Sequence, residues 1–288
     1  MLAAERRLRV LERAAADQAV EVSSLARDFQ VSEITIRRDL LRLERDGFVR
    51  RTYGGATTRV VRTGGALEVT QGAKMLHHAQ EKHQIALRAN ELTAGARVIY
   101  LGVGSTVEQF ARVLTPREGL MVVTSSMVVA SLLATRRIQV ISVGGLVRQD
   151  ELSCIGASAV DGVRRYNTDV AVIGATGISA RWGVTDLNDR EGEVAGAALE
   201  RTQRVMVLAD GSKFGDVALI TIAPIERVSV IVTDPSADPA EVERVEHEGV
   251  EVVVVRPESP AHPPRIGSDA GDGVGNGDEN RAKPVTPG

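Results

Sequence analysis

Apolar and polar positions follow different patterns in different regions of the 288-residue chain. Up to residue 58, apolar residues recur at helical spacing in short, dense stretches. From residue 81 to residue 256, near-continuous β-branched runs alternate with amphipathic patterns, which is typical of a parallel sheet covered by helices on both faces. Residues 59–80 lack periodicity and are predicted to be a linker. Residues 257–288 contain six of the ten prolines and are predicted to be a disordered tail.

The region 81–256 contains seven predicted strands and six predicted helices. The strands are Arg97–Leu101, Leu120–Thr124, Gln139–Ser142, Asp169–Ile173, Arg204–Leu208, Ser229–Thr233 and Glu251–Val255. The helices are Glu81–Leu92, Val107–Leu114, Met127–Ala134, Ala157–Arg165, Glu191–Thr202 and Pro239–Glu248. Because strands and helices alternate, this region is predicted to be a three-layer α/β open-sheet domain.

Three short helices are predicted in the first 45 residues. The first two are indicated by apolar residues at helical spacing, and Ser23 or Ser24 lies near the start of the second. These apolar residues are Leu8, Leu11 and Ala15 in the first helix and Val22, Leu25, Ala26 and Phe29 in the second. The third helix has Ser32 as its predicted N-cap and places Ile36, Leu40 and Leu43 inward.

The third helix carries a hydroxyl and two arginines on its outward face, at Thr35, Arg38 and Arg42. Two short helices joined by a tight turn in this way predict a helix-turn-helix whose second helix enters the major groove. The alternating segment Phe48–Tyr53, followed by Gly54-Gly55, predicts a basic wing. The residues expected to contact DNA are Ser32, Thr35, Arg37, Arg38, Arg42, Arg50, Arg51 and Tyr53. Spacing alone leaves open the alternative of a small helical domain with a solvated basic face.

Charge is distributed unevenly although the net charge is only -3. Residues 1–62 contain 13 arginines and 9 acids, whereas the remainder is acidic, so only the N-terminal region is expected to meet a polyanion. The single cysteine, Cys154, excludes an intramolecular disulfide and suggests a reducing compartment. No apolar run approaches the roughly 20 residues of a membrane span. We therefore expect a cytoplasmic protein.

Small and polar residues follow five of the predicted strands, at the edge where open α/β sheets bind ligands. Glycines let backbone amides approach an anion, and hydroxyls, a helix N-terminus and Lys213 complete a predicted phosphate site. The residues of these loops expected to bind an effector are Gly104, Ser105, Thr106, Thr124, Ser125, Ser126, Gly144, Gly145, Thr176, Gly177, Asp210 and Lys213. Each loop alone is a weak signal, because tight connections favour the same residues.

The segment VSEITIRRDLLRLERDGFVRRTYGGA, residues 31–56, resembles the signature of DeoR-family bacterial transcriptional repressors. The resemblance implies a winged helix-turn-helix at residues 1–58 and a sensor domain at 81–256 similar to ribose-5-phosphate isomerase. It also implies a phosphorylated sugar as effector. The matching sensor motifs are G-x-G-S-T, V-T-x-S, the paired glycines 144–145, G-A-x-G-I and D-x-S-K-F-G. Glu191, at the start of a predicted helix, also matches and is likewise expected to bind the effector. Double-stranded operator DNA is the expected partner. One DNA-binding domain carries too few basic residues to bind the operator tightly, so a homo-oligomer is expected.

Two positions depart from the family pattern. Gly102 stands where the family usually has an aspartate in L-D-x-G-T-T, and Thr176 stands where it often has one in G-A-D-G-I. Both changes remove a carboxylate and leave the predicted phosphate donors in place. The effector is therefore expected to differ from those of better-known members.

A sugar-phosphate isomerase or deaminase with an accessory N-terminal domain is the alternative function. Such chemistry needs a carboxylate base, and the acids near the loop edge are Asp186, Glu191 and Asp210. An enzyme has no use for Thr35 and Arg38 on an exposed helix face. We therefore predict a non-enzymatic repressor of carbohydrate-metabolism genes, without catalytic residues or cofactor.

A metal site was the remaining chemical possibility. His77, His78 and His83 lack a companion cluster at ligand spacing, so no metal is expected. Cys154 is predicted to be a packed thiol. Trp182 is expected either to cover the predicted effector-binding loops or to have only a packing role.

Overall fold

The computed structural model describes residues 19–45, 49–58, 60–63, 66–69, 75 and 77–256, and seven positions between residues 3 and 14. The predicted apolar positions Leu8, Leu11 and Ala15 lie outside the described residues, as does the predicted tail, 257–288.

The N-terminal domain combines helices with a three-stranded antiparallel sheet. Its elements are β1 (Ala19–Glu21), α1 (Val22–Asp28), α2 (Glu33–Arg45), β2 (Val49–Thr52) and β3 (Gly55–Thr58), with strand order β1-β3-β2. Ile36, Leu40 and Leu43 of α2 are buried against α1, β2 and the helical positions Val10 and Ala14. Helix, turn, helix and a two-stranded wing follow one another along the chain, so the predicted winged helix-turn-helix is confirmed.

The start of α1 differs from the prediction. Its N-cap is Glu21, not Ser23 or Ser24. The reason is that β1 runs directly into α1, and Glu21 still has the extended conformation of the strand, with φ -101° and ψ 138°. Ser32 behaves as predicted, because its Oγ accepts a hydrogen bond from the backbone N–H of Thr35 at 3.3 Å.

The predicted linker 59–80 contains a short antiparallel hairpin of β4 (Val60–Thr63) and β5 (Ala66–Val69). The two strands are separated in sequence by Gly64 and Gly65. Neither Val60–Thr63 nor Ala66–Val69 alternates strictly between apolar and polar residues, which is why the sequence pattern indicated no element here.

The C-terminal domain is built on a seven-stranded sheet in which every pairing is parallel. The strands in spatial order are β17 (Glu251–Val254), β16 (Val230–Thr233), β14 (Thr202–Leu208), β11 (Thr168–Ile173), β6 (Val98–Leu101), β7 (Met121–Thr124) and β8 (Gln139–Ser142). All seven correspond to predicted strands, with ends shifted by at most two residues.

Six helices cover the two faces of this sheet. They are α3 (Ala79–Leu92), α4 (Ser105–Val113), α5 (Met127–Ala134), α6 (Ala157–Arg164), α7 (Asp189–Leu199) and α8 (Pro239–His247). Alternate strand residues divide between two cores: Ile99 and Leu101 pack with α3, α4 and α5, whereas Tyr100 packs on the side of α6, α7 and α8. The predicted three-layer α/β domain is confirmed.

Five further strands were not predicted. The hairpin of β9 (Leu146–Arg148) and β10 (Ser153–Ile155) follows β8. A small antiparallel sheet contains β12 (Gly177–Ser179), β13 (Gly183–Asp186) and β15 (Ile220–Ala223). Three of these strands, β9, β10 and β12, are only three residues long, which is below the length at which periodicity is informative.

Candidate functional site

The exposed face of α2 is one candidate site. Arg38 and Arg42 are exposed, and neither makes an ion pair or side-chain hydrogen bond within the described part of the chain. Arg37 is held by Glu33 one turn earlier, with Nη2 and Oε2 3.0 Å apart. The hydroxyls of Ser32 and Thr35 lie 2.9 Å apart and bond each other at the helix start. Arg38 and Arg42 are therefore available to a polyanion, whereas Arg37 is engaged within the helix.

The wing adds a second group of predicted DNA contacts. Arg50 and Arg51 lie on β2 and are exposed, and the fully exposed Tyr53 begins the turn. Gly54 completes that turn with φ +87°, a conformation that side-chain-bearing residues avoid. The Arg51 backbone N–H donates to Glu44 of α2 at 3.0 Å. This bond fixes the wing against the helix, so both can meet DNA together.

A buried ion pair supports α2 from behind and was not predicted. Nε of Arg6 lies 2.6 Å from Oδ2 of Asp39, and both side chains are at most 10% exposed. Arg7 approaches the other carboxylate oxygen at 3.8 Å. Asp39 thus ties the helix that presents Arg38 to the N-terminal segment, 33 residues away in sequence.

The second candidate site is a cavity of about 320 Å³ in the C-terminal domain. It lies at the carboxyl ends of the adjacent strands β14, β11, β6 and β7, where loops from all four contribute to its wall. This is the edge at which open parallel sheets bind ligands. The position of the cavity therefore follows from the order of the strands.

One wall of the cavity suits an anion. The loop Gly102–Thr106 leads into α4, and Gly104 has φ +128°, which leaves its amide at the start of that helix. Helix N-termini attract negative charge through their free N–H groups. Lys82 of α3 and Lys213 also line the cavity. Amides, hydroxyls and two cations are thus present in one cavity.

The cavity lining also includes carboxylates that are already held in place. Oε1 of Glu191 lies 3.0 Å from Nη1 of Arg148 and accepts a short hydrogen bond from the hydroxyl of Ser153. Both partners come from the β9–β10 hairpin. The Thr176 hydroxyl donates to Oδ1 of Asp186 at 3.0 Å. These bonds fix the orientation of acceptors that suit the hydroxyl groups of a ligand.

Burial changes the proton affinities of several of these groups. It raises the pKa of Glu191, against the opposing effects of Ser153 and Arg148. It also raises the pKa of Tyr100 to about 12, so the phenol, whose oxygen lies 3.1 Å from Oγ of Ser125, is neutral near pH 7. Burial lowers the pKa of His77, and nearby His78 and Lys82 lower it further.

Asp210 behaves in the opposite way. Burial alone would raise its pKa, but Lys213, a hydrogen bond from Ser212 and Lys82 together hold the pKa of Asp210 below its ordinary value. The carboxylate is therefore charged at neutral pH and faces the two lysines of the cavity. Its backbone neighbour Gly211 donates to Asp234 at 2.8 Å, which anchors the loop.

Most of the predicted effector residues meet at this cavity. Those that line it are Gly104, Ser105, Thr106, Ser125, Thr176, Glu191, Asp210 and Lys213. They come from the ends of four strands and from the start of α7. The structure therefore brings together residues that are more than 100 positions apart in sequence.

The other five predicted residues lie outside the cavity lining. Thr124 is buried and donates to the carbonyl of Leu101 at 2.7 Å, and Ser126 caps α5 by accepting from Val129 at 3.2 Å. Gly144 and Gly145 follow the edge strand β8, which is why their loop stays apart from the others. Gly177 lies in β12, where a Cβ would come within 2.4 Å of the Asp216 carbonyl.

Several lining residues were absent from the predicted set: His77, Lys82, Tyr100, Glu151 and Asp186. Lys82 had a usable signal, since Lys82, Ile85, Ala86 and Ala89 occupy the buried face of α3. A lysine at an inward position of an amphipathic helix is rare unless it is paired. Tyr100 gave no such signal in the sequence, because an aromatic residue in a buried strand usually packs in the hydrophobic core.

Two absences apply to the described residues. No group of three or more histidine, cysteine, aspartate or glutamate side chains there is arranged to hold a metal ion. No helix within the described part of the chain is both long and apolar enough to cross a bilayer.

Known proteins resemble the chain along most of its length. Residues 6–59 match the model of the DeoR-like helix-turn-helix domain, and residues 77–235 match that of the DeoR C terminal sensor domain. The HTH-type transcriptional regulator GlpR of Haloferax volcanii is 32% identical over 88% of this chain and 98% of its own. The glycerol-3-phosphate regulon repressor of Escherichia coli is 27% identical over 75% of this chain and 84% of its own.

Similarity to solved structures is much weaker. Ribose 5-phosphate isomerase A of Methanocaldococcus jannaschii aligns with a TM-score of 0.36 at 19% identity, over 49% of this chain and 55% of its own.

The two DeoR family models together cover both the N-terminal domain and the residues that line the cavity, and the relatives named above are regulators. The chain belongs to the DeoR family of DNA-binding, helix-turn-helix transcriptional regulators and is a regulator, not an enzyme.

Proposed function

We propose that this regulator represses carbohydrate-metabolism genes and leaves its operator when a phosphorylated sugar, or a related metabolite, fills the cavity. The observation that carries the proposal is the composition of the cavity wall. A helix N-terminus and two lysines that suit an anion line the cavity together with carboxylates that suit hydroxyl groups. A phosphorylated polyol has both kinds of group.

The phosphate is proposed to lie against Gly104, Ser105 and Thr106, with Lys82 and Lys213 as cationic partners. Backbone amides and the dipole of α4 stabilise a phosphate without requiring a further charge. Lysine contributes a point charge with three donors, which suits a tetrahedral anion. Asp210 keeps the Lys213 side of the cavity from carrying an uncompensated positive charge when the ligand is absent.

The hydroxyl groups are proposed to meet Asp186 and Glu191. Both carboxylates already accept bonds from protein groups, and each has further lone pairs for a ligand hydroxyl. Because Thr176 and Gly102 replace aspartates of the family pattern, the ligand has fewer acidic partners than in better-known members. The name of the glycerol-3-phosphate regulon repressor is consistent with a small phosphorylated polyol.

The N-terminal domain, residues 1–58, is proposed to bind the operator through Arg38, Arg42 and the wing. Residues 59–80 would connect it to the sensor, residues 81–256. One domain with so few available cations makes too few phosphate contacts for tight binding, so we propose a homo-oligomer with two or more DNA-binding domains. A cytoplasmic location follows from this role.

Thermal unfolding of the full chain in the presence of a panel of phosphorylated sugars and polyols tests the effector proposal. A ligand at 100 times its dissociation constant stabilises the native state by about 2.7 kcal/mol. We expect such a shift with at least one phosphorylated compound and none with its dephosphorylated form. If phosphorylated and dephosphorylated forms act alike, or if no compound shifts the transition, the phosphate site is wrong.

A further inference from the structure

The recognition helix α2 exposes an apolar side chain where it would meet DNA. Ile34 is the second residue of α2 and is 64% exposed. Full burial of an isoleucine side chain stabilises a fold by about 1.5–3 kcal/mol. Because Ile34 is mostly exposed to water, its side chain contributes little to the stability of this fold. Ile34 was not among the residues predicted to contact DNA.

Ile34 lies in the middle of the exposed face of α2. The buried residues Ile36, Leu40 and Leu43 occupy the opposite side of the helix. Arg38 follows Ile34 by four residues and therefore lies directly beside it on the same face. The half-buried Thr35, by contrast, lies at the flank of that face.

The hydroxyl groups near Ile34 are engaged within the protein. Ser32 and Thr35 bond each other at 2.9 Å, and Ser32 also accepts the Thr35 backbone N–H. Arg37 bonds Glu33. At the start of the helix, Ile34 and Arg38 are consequently the side chains that project without an internal partner among the described residues.

Base edges in the major groove offer an apolar side chain one kind of partner, the C5-methyl group of thymine. The N-terminal residues of a recognition helix are the ones that reach base edges. We propose that Ile34 determines operator specificity by packing on a thymine methyl group, next to the base or phosphate bound by Arg38. Leu41 lies about 10 Å farther along the helix and is too far from its N-terminus to share this contact.

Replacing single thymines by deoxyuridine tests the proposal, because it removes only the methyl group. DNA sequences bound by the full chain are first recovered by selection from a random pool. Each thymine of the recovered site is then replaced in turn, and binding is measured by fluorescence anisotropy for the parent, Ile34→Ala and Leu41→Ala. Leu41 is 43% exposed on the same face and serves as the matched control.

Within each stretch of the recovered site that one copy of α2 contacts, we expect one thymine to be sensitive to replacement. Replacing it should weaken binding of the parent about fourfold, the equivalent of one buried methyl-sized group. Ile34→Ala should lose that penalty at the same position, and Leu41→Ala should keep it. The proposal is overturned if no replacement weakens the parent. It is equally overturned if Ile34→Ala retains the full penalty or weakens all sequences alike. None of these outcomes depends on the identity of the effector.

Discussion

The DNA-binding face and the cavity hold their charges in opposite ways. Arg38 and Arg42 stand in solvent without an ion pair in the described part of the chain. The side chain of Glu191 is only 9% exposed and is bonded to Arg148, and the buried Asp210 is bonded to the hydroxyl of Ser212. Exposed cations that bind the phosphates of a long polymer release the counterions condensed on that polymer, so their contribution depends steeply on salt. Buried, oriented groups are little screened and select one small ligand by geometry.

This difference has a consequence for regulation. A surface that binds DNA through exposed cations loses affinity when its position relative to the operator changes by a small amount, because half-sites are separated by a fixed number of base pairs. A cavity that is already ordered can convert ligand binding into such a displacement without refolding. Coupling energies between sites are typically about 1–3 kcal/mol, or 5- to 150-fold in affinity.

The largest effect is expected at the buried ion pair behind the recognition helix. Asp39→Ala leaves Arg6 buried without its nearest carboxylate, which typically costs about 3–5 kcal/mol. Asp28→Ala removes an exposed pair with Arg13, 3.7 Å apart, and should cost about 0.5 kcal/mol or less. Amide hydrogen exchange of α2 in the full chain measures both. Equal protection in the two variants would contradict the assignment of Asp39 as a structural anchor.

The next effect concerns the cavity. Lys213→Ala should weaken binding of a phosphorylated ligand by about 100-fold, because hydrogen bonds to charged groups contribute up to about 3 kcal/mol. Arg190→Ala, which removes an exposed cation beside Glu191, is the control and should leave the affinity unchanged. Isothermal titration with the compound found in the thermal screen measures both constants. A normal affinity in Lys213→Ala places the phosphate elsewhere.

A smaller effect is expected on the DNA-binding face. Arg38→Ala should weaken operator binding by about 1–3 kcal/mol while leaving thermal stability unchanged, since the side chain is exposed. Arg165→Ala removes the same charge from the C-terminal domain and should have no effect on binding. Anisotropy titrations at one fixed salt concentration compare them. Should both variants bind like the parent, α2 does not carry the specific contact.

The smallest effect is a pH dependence. Because burial raises the pKa of Glu191 above its ordinary value of 4.5, the native state holds this proton more tightly than the unfolded chain does. The contribution of Glu191 to stability is therefore largest below about pH 4.5 and declines as pH rises through the folded-state pKa. Urea unfolding should show the stability of the parent relative to Glu191→Gln decreasing as pH rises from 4.5. An increase would show that Arg148 and Ser153 outweigh burial.

Much of the architecture could be predicted because it depends on local pattern. Runs such as Val205 to Leu208 are apolar on both sides of the chain, which is typical of a strand buried on two faces. Ile36, Leu40 and Leu43 mark the inner face of α2 by spacing alone. The convergence of the loops on one cavity followed from parallel strand order, since carboxyl ends of parallel strands share an edge.

The two unpredicted buried ion pairs depend on partners far apart in sequence. Arg148 meets Glu191 across 43 residues, and Arg6 meets Asp39 across 33. Neither spacing produces a periodic signal. The failure at Gly144 and Gly145 has another cause: their loop follows β8, the last strand of the sheet, and the sequence does not reveal which strand lies at the edge.

The most direct test of the account asks whether the two sites can be separated by mutation. Labelled operator DNA is titrated with the parent, Arg38→Ala and Lys213→Ala, each with and without the phosphorylated compound identified by thermal shift. We expect Arg38→Ala to bind DNA weakly and still bind the compound. Lys213→Ala should bind DNA like the parent and stay bound when the compound is added. A parent that is not released by any phosphorylated compound, or a Lys213→Ala variant released at the parent's concentration, would contradict the account.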